Sequence, residues 1–487
     1  MVQLVETILR DAQQSLIATR MRTEDMLPAM KDLDSIGFRS LEAWGGATFD
    51  SCMRYLNEDP WERLKKLSAI ETPIQMLERG QNIVGYRAYS DDIVREFIRL
   101  AVKSGCRIFR IFDALNDVRN MESSIKAVKE YGAEAQGALC YTISPVHNAD
   151  YFVEVAKRLK SLGCDTVCIK DMAGMISPMV AYELVDRIKR DTKLKVNLHT
   201  HSTSGMAIAS CLKAIEAGAD FVDTAISPFS GGTSQPPTES LVEALRGYGE
   251  RDTGYDMKKL IELKRYFSKV LEKYREYYSD KSLMIDTEVF LHQIPGGMLS
   301  NLVMQLRDMK KIELYDRVLQ EVPRVREDLG YPPLVTPTSQ IVGTQAVMNV
   351  VSGERYKMVI KEVKDYVKGL YGKPPAEISD AIKEKILGKD WKGMIVSERP
   401  GALVPPKLKE MREEAEGKGL VKKEEDVISY ALYPDIAERF LKPGEKKPNA
   451  ESQSPNKGQK MEEKISGNKK AYTARIGDEV FQVEILE

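Results

Sequence analysis

Two of the four histidines in this 487-residue chain stand two positions apart, at the end of a predicted β-strand. Side chains on a strand repeat with a period of two, so the imidazoles of His199 and His201 project to the same side and can share a metal ion. Two imidazoles do not complete a metal site, and Asp11, which follows the first predicted strand, is the best placed carboxylate. Purely structural interpretations stay open: the histidines can bond to neighbouring loops, and Asp11 can be a helix cap or an ion-pair partner of Arg10.

Lys170 ends another predicted strand, within the segment CIKDMAG. An ammonium group repels a metal ion, so an unmodified lysine here predicts a counter-charge or a surface residue. A desolvated lysine loses its proton more readily, and the free amine can react with CO₂ to give a carbamate that offers oxygen ligands. The residues alone leave both interpretations open.

Further polar residues stand at the ends of the predicted strands, where a parallel barrel carries its chemistry. They are Arg10, Asp11 and Gln14 after strand one, Glu42 and Trp44 at strand two, Arg79 at strand three, Asp113 at strand four, Lys170 and Asp171 at strand six, and His199 and His201 at strand seven. Because the carboxyl ends of parallel strands meet around one rim, we expect these side chains to share one site.

The elements that position these residues follow from the pattern of residues 1–254, where short apolar runs alternate with amphipathic helical stretches. We predict strands at 4–9, 40–44, 73–77, 107–112, 135–142, 166–170, 195–200 and 221–226. One of the intervening helices is predicted to begin at Ser90, as its N-cap, and to end at Gly105. This rhythm predicts an α/β fold, a (β/α)₈ barrel of the TIM type. A doubly wound open sheet is less favoured, because no GxGxxG motif follows the first strand.

The pattern changes after residue 254. Residues 255–441 predict a mostly helical second domain. Residues 442–470 contain only three apolar side chains, which cannot form a core, so we expect a flexible linker there. Residues 471–487 alternate like two strands, and because a lone hairpin is marginal in water, they predict the start of a module that is incomplete.

Composition excludes several classes of protein. Lysine and arginine number 72 against 73 aspartates and glutamates, so no global positive charge points to nucleic acid or to an anionic membrane. No apolar run approaches the ~20 residues of a membrane span, and Glu6 and Asp11 interrupt the segment where a signal peptide would be apolar. Six cysteines without a CxxC pair do not form a disulfide framework. We therefore expect a cytoplasmic protein that does not bind nucleic acid.

Seven segments, in order along the chain, resemble one known family. They are ETILRDAQQSLIATRMRT, EAWGGATFDSCMRYLNEDPWERL, LERGQNIVGY, FRIFDALND, CIKDMAG, NLHTHSTSG and VTPTSQIVGTQA. Across about residues 3–440 the chain resembles the carboxyltransferase component of biotin-dependent enzymes that act on pyruvate and oxaloacetate. This family includes the pyruvate carboxylase B subunit, the oxaloacetate decarboxylase alpha subunit and the transcarboxylase 5S subunit. The stretch 471–487 resembles the opening of a biotinyl domain.

The resemblance implies a TIM barrel extended by a helical domain that helps to close the site. It implies an enzyme that moves a carboxyl group between carboxybiotin and pyruvate or oxaloacetate through a metal-stabilised enolate. It also implies a divalent metal, Zn²⁺ or Mn²⁺, held by Asp11, a carbamylated Lys170, His199 and His201. The resemblance therefore favours the carbamate interpretation of Lys170.

The resemblance also implies roles for the organic part of the site. The contacts to the substrate carboxylate fall on Arg79 and Gln14, and Arg10 and Tyr86 line the pocket. The threonine that carries a proton between the methyl group of pyruvate and biotin falls on Thr336.

Biotin itself is expected to come from elsewhere. The sequence contains no AMKM-type biotinylation motif, so we expect biotin in trans on a biotin carboxyl carrier protein, unless the chain is a truncated form. The other implied partners are a biotin carboxylase subunit, or membrane decarboxylase subunits that would hold the protein at the membrane periphery, and a second copy of the chain in a homodimer. In single-chain pyruvate carboxylases the segment corresponding to TPTSQ ends in lysine, whereas Gln340 stands here, so the contacts with biotin are expected to differ.

Two rival functions remain open. A metal-dependent aldolase or lyase of the hydroxymethylglutaryl-CoA lyase type shares an RD…HxH barrel, but Lys170 and the VTPTSQ segment argue against it. A non-catalytic assembly subunit would use the barrel only to dock partners and would not need four metal ligands. The sequence does not decide in which direction a reversible carboxyl transfer runs.

Overall fold

The computed structural model describes residues 2–442, apart from the side chains at 250, 296–297 and 299–301, together with the backbone of 471–476 and 479–485. The predicted linker 442–470 lies, except for Lys442, outside the described residues. None of the helices in the described part of the chain has the length and apolar composition that a membrane-spanning helix needs.

Eight parallel strands close into a barrel in the order of the sequence. They are β1 Gln3–Glu6, β2 Ser40–Gly45, β3 Ile74–Glu78, β4 Cys106–Phe112, β5 Glu134–Cys140, β6 Thr166–Asp171, β7 Lys195–Thr200 and β8 Phe221–Thr224. Pairing of β1 with both β2 and β8 closes the ring. The predicted (β/α)₈ barrel is confirmed.

Twelve helices belong to the barrel half of the chain. They are α1 Gln13–Ile17, α2 Thr23–Met26, α3 Met30–Ile36, α4 Gly46–Ser51, α5 Pro60–Leu67, α6 Asp91–Lys103, α7 Glu122–Glu130, α8 Ala149–Ser161, α9 Pro178–Thr192, α10 Ala207–Glu216, α11 Thr238–Leu245 and α12 Met257–Lys273. Helix α6 begins after Ser90, as predicted, but the Ser90 side chain makes no capping hydrogen bond.

The second half of the described chain is mostly helical, as predicted. Its elements are α13 Val289–His292, α14 Gly296–Asp308, α15 Tyr315–Asp328, α16 Thr338–Ser352, β9 Met358–Ile360, α17 Lys361–Val367, α18 Asp380–Leu387, α19 Leu408–Gly417, α20 Glu424–Leu432, α21 Pro434–Leu441, β10 Ala471–Ile476 and β11 Glu479–Ile485. Strands β10 and β11 pair antiparallel, and β11 also pairs antiparallel with β9. The assignment of 471–487 to a biotinyl domain stays a prediction.

Two large apolar cores account for this architecture. The barrel core includes α12 and, from the far end of the chain, apolar side chains of α20 and α21 such as Ile428 and Ala437. The helices from α14 to α18 bury a core of their own, which includes Leu302, Val322 and Val347. The C-terminal helices therefore return to the barrel, and the helices between them form a unit with its own interior.

The first strand ends earlier than predicted. Strand β1 ends at Glu6, whereas the sequence predicted a strand to residue 9, because Ile8–Ala12 forms a π-helical turn. The turn places Arg10 and Asp11 at the barrel rim, and both side chains are buried. This irregular turn is the first element that positions the candidate site.

A buried acid at the end of β3 makes folding stability depend on pH. Burial raises the pKa of Glu78 to about 8, although the hydroxyl of Ser124 donates to its Oε1 at 2.7 Å. Its Oε2 has no hydrogen-bond partner among the described residues, as suits a protonated carboxyl. Because an unfolded glutamate releases its proton near pH 4.5, unfolding releases a proton between that pH and about pH 8. The stabilising contribution of the proton is complete below this window and is lost as pH rises through it.

Between about pH 5 and about pH 8, the free energy of unfolding of the unchanged protein should fall as Glu78 is forced to ionise. In Glu78→Gln we predict a shallower fall, by on the order of 1 kcal/mol per pH unit. Chemical denaturation at a series of pH values measures this difference. Glu71→Gln, which changes an exposed acid that precedes the same strand, is the control and should follow the unchanged protein. Identical pH dependence in Glu78→Gln and Glu71→Gln would contradict the assignment.

Candidate metal and substrate site

Strand pairing brings the predicted metal ligands together. Lys170 on β6 is the direct register partner of His199 on β7, and His201 follows two residues later at the strand end. The π-helical turn after β1 supplies Asp11 from across the barrel mouth. All four side chains are at least 93% buried.

Three ligand atoms converge on one point. The Nε2 atoms of His199 and His201 lie 3.2 Å apart, and Asp11 Oδ2 lies 3.2 Å from the first and 3.6 Å from the second. The Asp11 Oδ2 atom is buried and has no hydrogen-bond partner within the described part of the chain. Arg10 Nη2 lies 2.9 Å from this oxygen, so Asp11 is an ion-pair partner of Arg10 as well as a candidate ligand.

The partners of the other ring nitrogens fix the tautomer of each histidine. His199 Nδ1 lies 2.6 Å from the carboxylate of Asp223, and His201 Nδ1 lies 2.6 Å from the backbone carbonyl of Thr233. These two partners only accept hydrogen bonds, and their short contacts assign the proton to each Nδ1 and a lone pair to each Nε2. Arg110 Nη1, which can only donate, lies farther from His199 Nδ1, at 3.2 Å. Two imidazole nitrogens and one carboxylate oxygen form a donor set that fits a divalent metal such as Zn²⁺ or Mn²⁺.

Lys170 stands at the edge of this donor set. Its Nζ lies 3.0 Å from His199 Nε2 and 3.7 Å from Asp11 Oδ2, and its side chain is only 1% exposed. An ammonium in this place occupies the position from which a fourth ligand would approach. The structure thus brings Lys170 to the site, as the sequence predicted.

A network of buried ion pairs surrounds the four residues. Arg10 donates to Glu42 at 2.7 Å, and Glu42 accepts from Arg110 at 3.1 Å. Arg110 in turn forms a two-point pair with Asp223, with 3.0 Å between Nη2 and Oδ1. We call Arg10, Asp11, Glu42, Arg110, Lys170 and Asp223 the buried charge network; it contains three cations and three carboxylates, all 5% exposed or less.

Neighbouring charges keep the carboxylates of this network ionised. Burial alone would raise the pKa of Asp11, but the cations of Arg10 and Lys170 hold it well below its usual range. Burial is opposed in the same way at Glu42 by Arg10 and Arg110, and at Asp223 by Arg110, and the pKa of each is lowered. The charge on Asp223 orients His199, and the charge on Asp11 is available to a metal.

Of the two residues predicted to hold the substrate carboxylate, Gln14 contacts this network and Arg79 lies at the end of β3. Arg10 Nη1 donates to Gln14 Oε1 at 3.2 Å. Arg79 donates to the carbonyls of Val84 and Gly85 at 3.1 and 3.0 Å, and its guanidinium lies 4.9 Å from the centre of the Tyr86 ring.

The double glycine after β2 makes room for Arg79. A Cβ on Gly46 would lie 2.9 Å from Arg79 Cζ and 2.7 Å from the carbonyl oxygen of Val84, closer than real contacts allow. A side chain at this position would displace the guanidinium from the rim. The GGATFD segment therefore has a steric reason to carry glycine there.

Thr336 and Arg79 line the same cleft. Its wall also contains Asn82, Asp113, Pro337 and Tyr371. The residue before Thr336, Val335, is 4% exposed and packs with Leu77, Phe112 and Cys168 in the mouth of the barrel. The helical half of the chain thereby inserts one loop into the barrel opening and brings Thr336 to the cleft that Arg79 lines.

Sequence reasoning missed two residues that organise the site, Arg110 and Asp223. Both stand in the middle of apolar strands, in CRIFRIF and FVDT. Buried parallel strands are usually continuous apolar runs, so a charged residue within one is the signal that would have identified them. The loop after β8 supplies the carbonyl of Thr233, which orients His201.

Comparisons with known proteins agree with this geometry. Residues 98–266 match the family model described as HMGL-like, and residues 289–484 match the model of the conserved carboxylase domain. The B subunit of pyruvate carboxylase from Methanocaldococcus jannaschii is 56% identical over 487 residues, which is 100% of this chain and 84% of that protein. The methylmalonyl-CoA carboxyltransferase 5S subunit of Propionibacterium freudenreichii subsp. shermanii is 46% identical over 90% of this chain and 87% of its own length.

A solved structure repeats the fold. The carboxyl transferase domain of Rhizobium etli pyruvate carboxylase, determined with pyruvate, superposes with a TM-score of 0.85 at 37% identity, covering 90% of this chain and 76% of that one. The similarity to a lyase model is confined to residues 98–266, whereas the similarity to carboxyltransferases spans the barrel and the helical half. The chain therefore belongs to the carboxyltransferase family of biotin-dependent enzymes.

Proposed function

We propose that this chain catalyses the carboxyl-transfer half-reaction between carboxybiotin and pyruvate, and its reverse, the decarboxylation of oxaloacetate. The observation that carries the proposal is the convergence of Asp11, His199 and His201 beside Lys170. The cleft that Arg79 and Thr336 line together supports it. The relatives that match the chain over most of its length include pyruvate carboxylase subunits, which supports pyruvate as the substrate.

The methyl group of pyruvate is a feeble acid, so the enolate formed from it needs electrostatic stabilisation. A divalent metal held by Asp11, His199, His201 and a modified Lys170 would supply a Lewis acid for this purpose. We propose Zn²⁺ or Mn²⁺, because imidazole and carboxylate ligands suit both ions. The ion pair between Arg10 and Glu42 keeps the guanidinium of Arg10 directed at the rim, beside Gln14.

The remaining residues bind the substrate and move the proton. Arg79 has a planar guanidinium that can grip a carboxylate at two points, and Gln14 offers an amide donor. As the bond between the ureido nitrogen of biotin and the transferred CO₂ breaks, that nitrogen takes the hydroxyl proton of Thr336, and the proton that leaves C3 of pyruvate restores the hydroxyl. A new bond forms between C3 and CO₂, and the reverse steps decarboxylate oxaloacetate. Tyr86 lies against the guanidinium of Arg79, with 4.9 Å between Cζ and the ring centre.

Charge balance supports a carbamate at Lys170. With an ammonium at Lys170, the buried charge network carries three positive and three negative charges and is neutral without a metal. A divalent ion would add two positive charges to a site that water barely reaches, which is costly. Conversion of the ammonium to a carbamate replaces one positive charge with one negative charge, which offsets the two charges of the metal and restores neutrality. We therefore propose that metal binding and carbamylation occur together.

We propose that biotin enters the cleft on a carrier separate from these 487 residues, namely a biotin carboxyl carrier protein. A biotin carboxylase subunit, or membrane decarboxylase subunits, would then decide the direction of transfer. Membrane decarboxylase subunits would also hold the protein at a membrane surface. We propose that the chain itself acts as a homodimer. We propose the boundaries 1–254 for the barrel domain, 255–441 for the carboxylase domain, 442–470 for the linker and 471–487 for the opening of a biotinyl-like domain. Helices α12, α20 and α21 of the second range pack on the barrel core. Turnover is therefore expected to require biotin that is supplied separately.

The carbamate proposal predicts a large effect of Lys170→Arg, which keeps a positive charge but cannot form a carbamate. We expect the affinity for Zn²⁺ or Mn²⁺ to fall at least about a hundredfold, because one ligand is lost. Short carboxylates such as formate should partly restore metal binding to Lys170→Ala by supplying oxygen ligands. Lys195→Arg, at the exposed start of β7, is the control. The absence of a carbamate signal by ¹³C NMR, after exchange with ¹³C-bicarbonate in active metal-loaded protein, would refute the proposal.

The proton-transfer proposal predicts that Thr336→Ala lowers kcat of biotin-dependent carboxyl transfer by about 10²–10⁴-fold, the usual contribution of a positioned proton carrier. The KM for the oxo acid should stay nearly unchanged, the pattern of an interaction that is made only in the transition state. Thr336→Ser keeps the hydroxyl and should retain measurable turnover. Near-normal turnover of Thr336→Ala with free biotin or a supplied carrier would return the residue to a structural role.

A further inference from the structure

A buried arginine joins the helical half of the chain to the barrel. Arg326, near the end of α15, is 5% exposed. Its Nη2 donates to the hydroxyl of Thr142 at 2.8 Å, and its Nη1 donates to the carbonyl of Ile143 at 3.2 Å, both in the loop that follows β5. These bonds connect positions 183 and 184 residues apart in the sequence.

The same guanidinium binds two segments of the helical half. Its Nε donates to the carbonyl of Pro332 at 2.9 Å, and its Nη1 also donates to Gln293 Oε1 at 2.7 Å. Pro332 opens the loop that contains Val335 and Thr336. One side chain therefore contacts the barrel rim and the loop that places Thr336 at the cleft.

Arg326 has an unusual charge environment for a buried cation. No carboxylate in the described part of the chain pairs with it, and burial lowers the pKa of its guanidinium. A buried charge without a counter-charge is costly, and here four neutral oxygens satisfy it instead. Arginine is the side chain whose rigid fork can reach several acceptors in different directions at once.

The loop that Arg326 binds is also bonded internally. The hydroxyl of Thr338 shares its proton between the carbonyls of Pro333 and Val335, at 2.5 and 2.7 Å. The loop is then placed relative to the barrel by the packing of Val335 in the barrel mouth and by the bonds of Arg326. A rotation of the loop would move Thr336 without unfolding it.

We propose that Arg326 is a positioning residue for carboxyl transfer, which holds Thr336 at the cleft by binding the β5 loop and the Thr336 loop at the same time. The inference rests on the proposed function, since it assumes that Thr336 moves the proton. Arg326 touches neither Arg79 nor the metal ligands, so its loss should leave the binding of substrate to the barrel intact.

The test compares the full chain with Arg326→Met, Thr336→Ala and the double variant in biotin-dependent decarboxylation of oxaloacetate, with free biotin as the acceptor. We expect Arg326→Met to lower kcat about ten- to a hundredfold, because a displacement near 1 Å has that effect on a positioned group. The affinity for oxamate, measured by calorimetry, should change by less than about twofold. In the Thr336→Ala background the second change should have little further effect on kcat, because both act through one group.

Arg324→Met is the matched control, since Arg324 lies on the same helix with a side chain that is 69% exposed. It should leave kcat unchanged. If Arg326→Met does not fold, Arg326→Lys keeps the charge and loses the fork, and it should lower kcat at least several-fold. A folded Arg326→Met or Arg326→Lys enzyme with normal kcat would overturn this inference and leave the proposed function standing. The same holds if Arg326→Met lowers kcat equally in the presence of Thr336 and of Thr336→Ala. Normal turnover of Thr336→Ala would overturn the proposed role of Thr336 and this inference with it.

Discussion

Six charged side chains lie inside the barrel mouth, almost out of contact with water, and they are stable there because each faces an opposite charge. The chain of contacts runs from Arg10 to Glu42, then to Arg110 and Asp223, and ends at His199. Removal of one partner from such a network typically costs about 3–5 kcal/mol, because it leaves an uncompensated buried charge. This constraint fixes the tautomer of His199, the ionised state of Asp11 and the direction of Arg10 at once. Interactions among the protein's own side chains therefore orient the residues of the site.

The helical half of the chain adds what a barrel alone lacks. A barrel rim supplies ligands and carboxylate-binding groups, but it is open to water on one side. Here the loop with Val335 fills part of the opening, and Thr336 stands beside Arg79 in the cleft that results. The C-terminal helices return to the barrel through Tyr433, whose hydroxyl donates to the carbonyl of Val84 at 2.7 Å. That carbonyl also accepts from Arg79, so the return of the chain supports the substrate-binding loop.

Much of this could be predicted from local pattern. The strand period placed His199 and His201 on one side, and the barrel rule placed Asp11 and Lys170 at the same rim. Arg110, Asp223 and Arg326 were not predicted, because the role of each depends on partners far away in the sequence. Arg110 pairs with Asp223, 113 residues away, and Arg326 binds the β5 loop, 183 residues away. The π-helical turn at Ile8–Ala12 was also missed, since nothing in LVETIL distinguishes a strand that stops at residue 6 from one that continues.

The central claim is that one divalent metal is held by Asp11, His199, His201 and a modified Lys170. The most direct measurement is elemental analysis of the purified protein beside His199→Ala, with folding checked by circular dichroism. His147→Ala, which removes a histidine outside the cluster, serves as the reference for the loss of an imidazole. The account predicts about one metal ion per chain in the unchanged protein and in His147→Ala, and no bound metal in His199→Ala. Full metal occupancy in a folded His199→Ala protein would contradict it.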